Sequence, residues 1–184
     1  MKPYYITTAI PYVNAAPHLG HALEFVQADV LARHRRLRGQ PVRFLSGTDD
    51  HALKNVIAAR SAGTSVADYV ANAADRFEAL QARLELSCDD YIRTSSDGRH
   101  RPGVEFLWHR CADADDFYQH RYEGLYCVGC EQFYEADSLL GGLCPEHGTT
   151  PDRVAETNWF FRLSRYGDQI KAAIDSGALT IRVR

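Results

Sequence analysis

Hydrophobic and polar positions change period several times along the chain, and the changes mark its elements. Tyr4 to Ile10 is rich in β-branched and aromatic residues and stops at Pro11, which predicts a short buried strand running into a loop. From His18 to Leu37 the residues Leu23, Val26, Val30 and Leu37, with several alanines, recur at helical spacing, and Gly39 then Pro41 close the segment. Val42 to Leu45 reads as a second strand and Leu53 to Ser61 as a short helix. Val66 to Leu86 reads as a longer helix whose buried stripe is Val70, Ala73, Phe77, Leu80 and Leu84. Ser65 and Asp68 give that helix an S-x-x-D start. Asp90 to Thr94 reads as a third strand and Arg101 to Asp113 as a further helix. This β-α-β-α-β-α order belongs to an α/β fold with a doubly wound parallel sheet.

From about Phe117 the pattern changes to short aromatic-rich strands separated by Gly124, Gly129, Gly141 and Gly142. Within them lie C-V-G-C and C-P-E-H. Tetrahedral Zn²⁺ takes four soft or borderline donors, and these two x₂ spacings supply two chelating pairs, Cys127 with Cys130 and Cys144 with His147. Four buried or disulfide-bonded residues is the alternative, but the Gly141-Gly142 turn that brings the second pair back to the first favours one zinc ion in a small knuckle. Four protein ligands leave no position for substrate water, so the ion is expected to be structural. After Asn158 the mixed pattern returns, with a helix through Ile174.

The composition is that of an ordinary globular core, with 45% hydrophobic and 24% charged residues. A net charge of -3 excludes a general polycation, so any nucleic-acid contact requires a local patch or another part of the protein. There is no signal-peptide stretch and no apolar run of membrane-spanning length, and a cytoplasmic location is expected. Cys88 and Cys111, left over by the zinc, are expected to be inert core residues in a reducing compartment.

The loop after the first strand leads into His18-Leu19-Gly20-His21 at the start of the first helix. Ligands of parallel sheets bind at the carboxyl ends of strands, and two histidines three apart in a first helical turn share one face at the positive end of the helix dipole. They can donate hydrogen bonds to anionic oxygens, and Gly20 between them offers a backbone surface on which a planar base can lie. The motif is neither G-x-G-x-x-G nor a P-loop. By itself H-x-x-H could equally be a helix-start coincidence or a metal pair. Its strand-loop-helix setting favours ATP.

H-L-G-H after T-T-A-I-P-Y-V-N resembles the H-I-G-H signature of class I aminoacyl-tRNA synthetases, most closely the methionyl-tRNA synthetase family. F-L-S-G-T-D-D-H at 44–51, D-D-Y-I-R-T, Y-E-G-L-Y-C-V-G-C, C-P-E-H and N-W-F-F-R-L-S are similar to further family segments in the same order, so the likeness covers nearly the whole chain. It implies a class I synthetase-type Rossmann-like fold, incomplete here, with the first half of the nucleotide-binding domain at 1–116. It also implies a zinc-binding connective peptide at 117–157 and a truncated return segment at 158–184. By the same resemblance His18 and His21 stabilise charge on the α-phosphate, and Tyr12, Asn14 and Gly20 join them in holding ATP with Mg²⁺. Ala9, Ile10 and Tyr12 line the amino-acid pocket, and Asp49 accepts from the substrate ammonium group. The expected partners are methionine, ATP and, for the full-length enzyme, tRNA. The zinc module is expected to sit over the ATP site, and stripping the metal is expected to disorder residues near 120 to 150 first.

The chain departs from the family in two ways. Ala52 stands where the family's T-D-E-H-G has glycine, which could reshape backbone near the substrate amine. The chain also lacks the K-M-S-K-S loop, the rest of the methionine pocket and the anticodon-binding domain, so the isolated chain is expected to be nearly inactive and its open sheet edge prone to self-association. Two other readings stay open. One is a synthetase-like paralogue that activates an amino acid for a non-tRNA acceptor. The other is a truncated nucleotide-binding protein without catalysis.

Overall fold

The computed structural model describes residues 2–181; positions 182–184, the end of the segment expected as the return of the insertion, lie outside the described residues. The chain divides into two compact units, residues 1–103 and 104–184.

In the first unit, β1 (Tyr4–Thr7), β2 (Val42–Thr48) and β3 (Asp90–Arg93) form a parallel sheet in that order. Tyr4 lies opposite Val42, and Leu45 opposite Asp90. β1 is shorter than the expected Tyr4 to Ile10 because the chain leaves the sheet at Ala9, whose N–H donates to Glu24 Oε1 at 2.6 Å instead of to a strand. Nor is it fully buried: its residues alternate between half-buried and exposed. β2 runs past the expected Leu45 to Thr48. Ser46 and Gly47 have no strand preference of their own, but β3 pairs with them, and a Cβ at Gly47 would stand 2.2 Å from the Ile92 carbonyl oxygen.

Helix α1 (Leu19–Leu37) packs on the sheet through a face the apolar periodicity does not pick out. The stripe of Leu23, Val26, Val30 and Leu37 is exposed, Leu23 by 60% and Leu37 by 88%. The buried residues are Phe25, Ala28, Asp29 and Ala32. Ala28 and Ala32 meet Phe44, with Ile6, Val42 and Cys88 around them. Small side chains let a helix axis approach a sheet closely, so on this helix alanine rather than leucine marks the core side. Asp29 is buried because Ser87 and Arg33 hydrogen-bond its carboxylate; burial pushes its pKa up, and those bonds more than offset it, leaving it below the usual carboxylate range.

α2 (Leu53–Ser61) falls where the pattern predicts it, and α3 (Val66–Arg83) starts at the expected cap. The Asp68 N–H donates to Ser65 Oγ at 3.1 Å. Val70, Ala73, Ala74 and Phe77 of α3 join Phe25 and Val13 in the larger core cluster, with Leu80 packed against it. α3 ends at Arg83, before the expected Leu86, where Glu85 turns the chain at φ 51°. β3 ends one residue before the expected Thr94.

Helix α4 (His100–Asp113) carries the boundary between the units and buries none of its residues. In the second unit, β4 (Phe117–Cys127) pairs antiparallel with β6 (Asp152–Phe161) along nearly its whole length, and β5 (Gln132–Tyr134) adds to its other edge. Aromatic rings line the ribbon: Tyr118 stacks on Phe160, Trp108 on Phe117, and Phe117 meets Phe161 edge-on. α5 (Gly167–Asp175) follows a 3₁₀ turn. None of the five cysteines forms a disulfide, and Cys88 and Cys111 are half-buried. Among the described residues no helix is long and apolar enough to cross a membrane.

Candidate active site and metal centre

The loop from Thr8 to Pro17 is tied down at several points. Val13 is fully buried in the core, Thr8 and Ser46 share a hydroxyl hydrogen bond of 2.7 Å, and Tyr69 Oη donates to the Asn14 carbonyl at 2.9 Å. His18 is the N-cap of α1, with extended backbone at φ −126°. Its Nδ1 accepts from the Gly20 N–H at 3.0 Å, and His21 Nδ1 accepts from the His18 N–H at 3.2 Å. Two helix-start N–H groups are thereby satisfied, and a chemical consequence follows. With both Nδ1 atoms acting as acceptors, each neutral ring carries its proton on Nε2 and can present it outward as a donor. The rings stack with centroids 3.7 Å apart, and His21 also meets Phe77 edge-on. Burial, and then the neighbouring His18, hold the His21 pKa below the ordinary imidazole value against the opposing pull of Glu24, which favours this neutral donor form. The space beside Gly20 is taken by the His18 ring: a Cβ there would stand 2.8 Å from His18 Cε1.

Asp49 follows the end of β2 and forms a parallel bridge with Tyr12, its N–H donating to the Pro11 carbonyl at 2.9 Å. The structure thus brings His18 to His21 and Tyr12 to Asp49, all at the carboxyl ends of the first two strands. Ala9 and Ile10 are exposed on the same loop, and Lys54 Nζ lies 5.3 Å from the centroid of the Tyr12 ring. Ala52 has φ −73° and ψ 146°, a conformation open to any residue, so the absence of glycine there introduces no backbone strain. Sequence reasoning missed Glu24 and Tyr69, which hold this loop, and Asn55, whose Nδ2 donates to the Asp49 carbonyl. A polar residue one turn along a helix carries no signal of the distant backbone it reaches.

In the second unit Cys127, Cys130, Cys144 and His147 place their ligand atoms within 4.8 Å of one another. Cys130 Sγ lies 3.2 Å from His147 Nδ1 and 3.4 Å from Cys144 Sγ. These separations suit a tetrahedral ion with bonds of about 2.0–2.3 Å. Two further features fit a metal. Tyr134 Oη donates to Cys130 Sγ at 3.2 Å, as an outer-shell donor to a thiolate does, and a Cβ on Gly129 would stand 2.7 Å from the His147 ring, so glycine there leaves room for the imidazole. The tight turn at Leu140–Leu143 uses Gly141 and Gly142 at φ 61° and 83°. The cluster can hold one metal ion.

A parallel sheet opening into a histidine-bearing helix start, followed by an antiparallel module with a Cys₃His cluster, is the architecture of a class I aminoacyl-tRNA synthetase. The family described as tRNA synthetases class I (M) matches residues 4–153, and the chain belongs to it. A methionine-tRNA ligase of Mycobacterium bovis is 45% identical over 94% of this chain and 34% of its own length. One from Caldanaerobacter subterraneus is 40% identical over 92% of this chain and 26% of its own. The structure of Mycobacterium tuberculosis methionyl-tRNA synthetase in complex with methionyl-adenylate matches all of this chain and 37% of that one, with TM-score 0.92 and 41% identity. The chain thus spans about a third of the length of the mycobacterial relatives.

Proposed function

We propose that this chain is part of the catalytic domain of an enzyme that activates methionine with ATP and transfers it to tRNA. The observation that carries the reading is the pair of stacked, Nδ1-capped histidines at the start of α1, whose Nε2–H donors are left free to meet an anionic oxygen. The likeness to a synthetase solved with methionyl-adenylate supports it. On this reading the methionine carboxylate attacks the α-phosphorus of Mg²⁺-bound ATP and pyrophosphate leaves. His18 and His21 stabilise the charge that develops on the phosphoryl oxygens, without taking a proton. Tyr12, Asn14 and Gly20 hold ATP beside them. Ala9, Ile10 and Tyr12 line the amino-acid pocket, and Asp49 accepts from the α-ammonium group. Residues 1–116 act as the first half of the nucleotide-binding domain, 117–157 as the connective peptide and 158–184 as its return. Zn²⁺ held by Cys127, Cys130, Cys144 and His147 is structural, and the enzyme works in the cytoplasm.

The test joins the 184-residue chain to the remaining two-thirds of the Mycobacterium tuberculosis relative and measures amino-acid-dependent ATP–pyrophosphate exchange. Methionine alone among amino acids should support exchange, and His18→Ala with His21→Ala should abolish it while the fold persists. Exchange retained by the double variant would overturn the histidine roles. Exchange with another amino acid and no charging of tRNA would favour a paralogue with a different acceptor. The 184-residue chain by itself should show almost no exchange.

A further inference from the structure

The peptide unit between Asp49 and Asp50 is pinned at both edges by buried side chains. Its carbonyl, that of Asp49, accepts from Asn55 Nδ2 at 3.2 Å. Its N–H, that of Asp50, donates to Thr94 Oγ1 at 2.8 Å. Asn55 is fully buried and Thr94 nearly so. The preceding peptide is held by the Asp49 N–H on the Pro11 carbonyl, and Asp49 Oδ1 accepts from the His51 N–H at 3.2 Å. Beyond it, Asp50 Oδ2 accepts from Ser95 Oγ at 2.7 Å.

Asn55 is an unfavourable residue for a purely structural place. Its Oδ1 is buried with no hydrogen-bond partner, and an unpaired amide oxygen in a site closed to water is less stable there than an aliphatic side chain of similar size. What Asn55 does supply is orientation: the plane of the 49–50 peptide sets the direction of the Asp49 side chain, and two buried anchors allow that plane one setting.

We infer that Asn55 and Thr94 are positioning residues for amino-acid recognition, clamping the 49–50 peptide so that the Asp49 carboxylate meets the substrate ammonium group. The inference rests on the assignment of Asp49 proposed above. It deepens that assignment by naming two residues, on α2 and after β3, that touch no substrate and yet set its affinity.

The test uses the same joined enzyme with Asn55→Leu and, separately, the near-isosteric Thr94→Val. Each should raise KM for methionine about five- to tenfold, the loss of one hydrogen bond's worth of orientation, while kcat and KM for ATP stay within about twofold. The unfolding midpoint of the 184-residue chain carrying Asn55→Leu should be unchanged or higher. A merely structural role predicts the opposite, a lower midpoint with kcat and both KM values worsening together, and that result overturns the inference. So does an unchanged KM for methionine in both variants. Failure of the underlying assignment reads differently: Asp49→Asn would leave KM for methionine at its starting value, and the clamp would then have nothing to position.

Discussion

The two units are held together by different means. The first buries an apolar core in two clusters, one around Phe25, Val13 and Phe77 and one around Phe44, Ala28 and Ala32. In the second, the buried apolar side chains among the described residues, Pro151 aside, are Cys127 and Cys144, two of the four metal-site residues. Its remaining cohesion comes from a three-stranded sheet in which the short β5 covers only one end of β4, so most of the long β4–β6 pair is two-stranded with half-exposed aromatic rings, an arrangement that is marginal in water on its own. The contrast teaches that one chain can use transfer of apolar surface from water in one unit and ligand chemistry in the other. The first mechanism is spread over many side chains; the second is concentrated in four.

That difference can be broken experimentally, and the largest effect is expected from the metal. Structural zinc binding contributes about 10 kcal/mol or more in small modules, so chelation, or Cys144→Ser, should open residues 117–161 to proteolysis while residues 1–103 stay protected. Loss of protection in the first unit as well would show that the two are not independent. Next, Phe77→Ala removes a fully buried ring from the first core and should destabilise that unit by about 3–5 kcal/mol in urea unfolding, leaving metal affinity unchanged. A smaller loss, about 1–3 kcal/mol of metal-linked stability, is expected for Gly129→Ala, because the new Cβ would crowd the His147 ring. Metal titration followed by absorbance of a cobalt substitute would read it. Ser65→Ala should cost the first unit about 1 kcal/mol through the lost cap of α3.

The smallest effect is a pH dependence confined to the first unit. His21 has its folded pKa below the unfolded value of 6.5, so the unfolded chain takes up a proton first as pH falls. Stability from this group is complete above the unfolded value and declines as pH drops through that value toward the lowered folded one. Unfolding midpoints measured between pH 7 and pH 5 should fall in the parent chain and fall less in His21→Gln. An identical decline in both would remove His21 as the cause.

Much of the site was readable from spacing because the chemistry is local. Four candidate ligands in two x₂ pairs can converge when a glycine turn joins them, and the structure brings all four together. Histidines three apart at a helix start must share a face, and they stack. The fold class followed from the alternation of strand and helix patterns. Helical spacing left open which side of α1 is buried: Leu23, Val26, Val30 and Leu37 are exposed, while Ala28 and Ala32 touch the sheet. Periodicity reports that a face is apolar. It does not report which of two apolar faces a neighbour will cover.

The sequence by itself therefore determined the α/β class, the order of the elements, the cysteine–histidine cluster and the helix-start histidines, because each depends on residues close together along the chain. Only the tertiary structure decided where β1 and β2 end, which side of α1 is buried and what clamps Asp49. Those outcomes depend on partners far away in sequence. Glu24 takes the N–H of Ala9 from the sheet, β3 extends β2, and Asn55 and Thr94 reach the 49–50 peptide from two other elements. A buried polar group must find its partner wherever the fold puts one, and no local pattern records that distance.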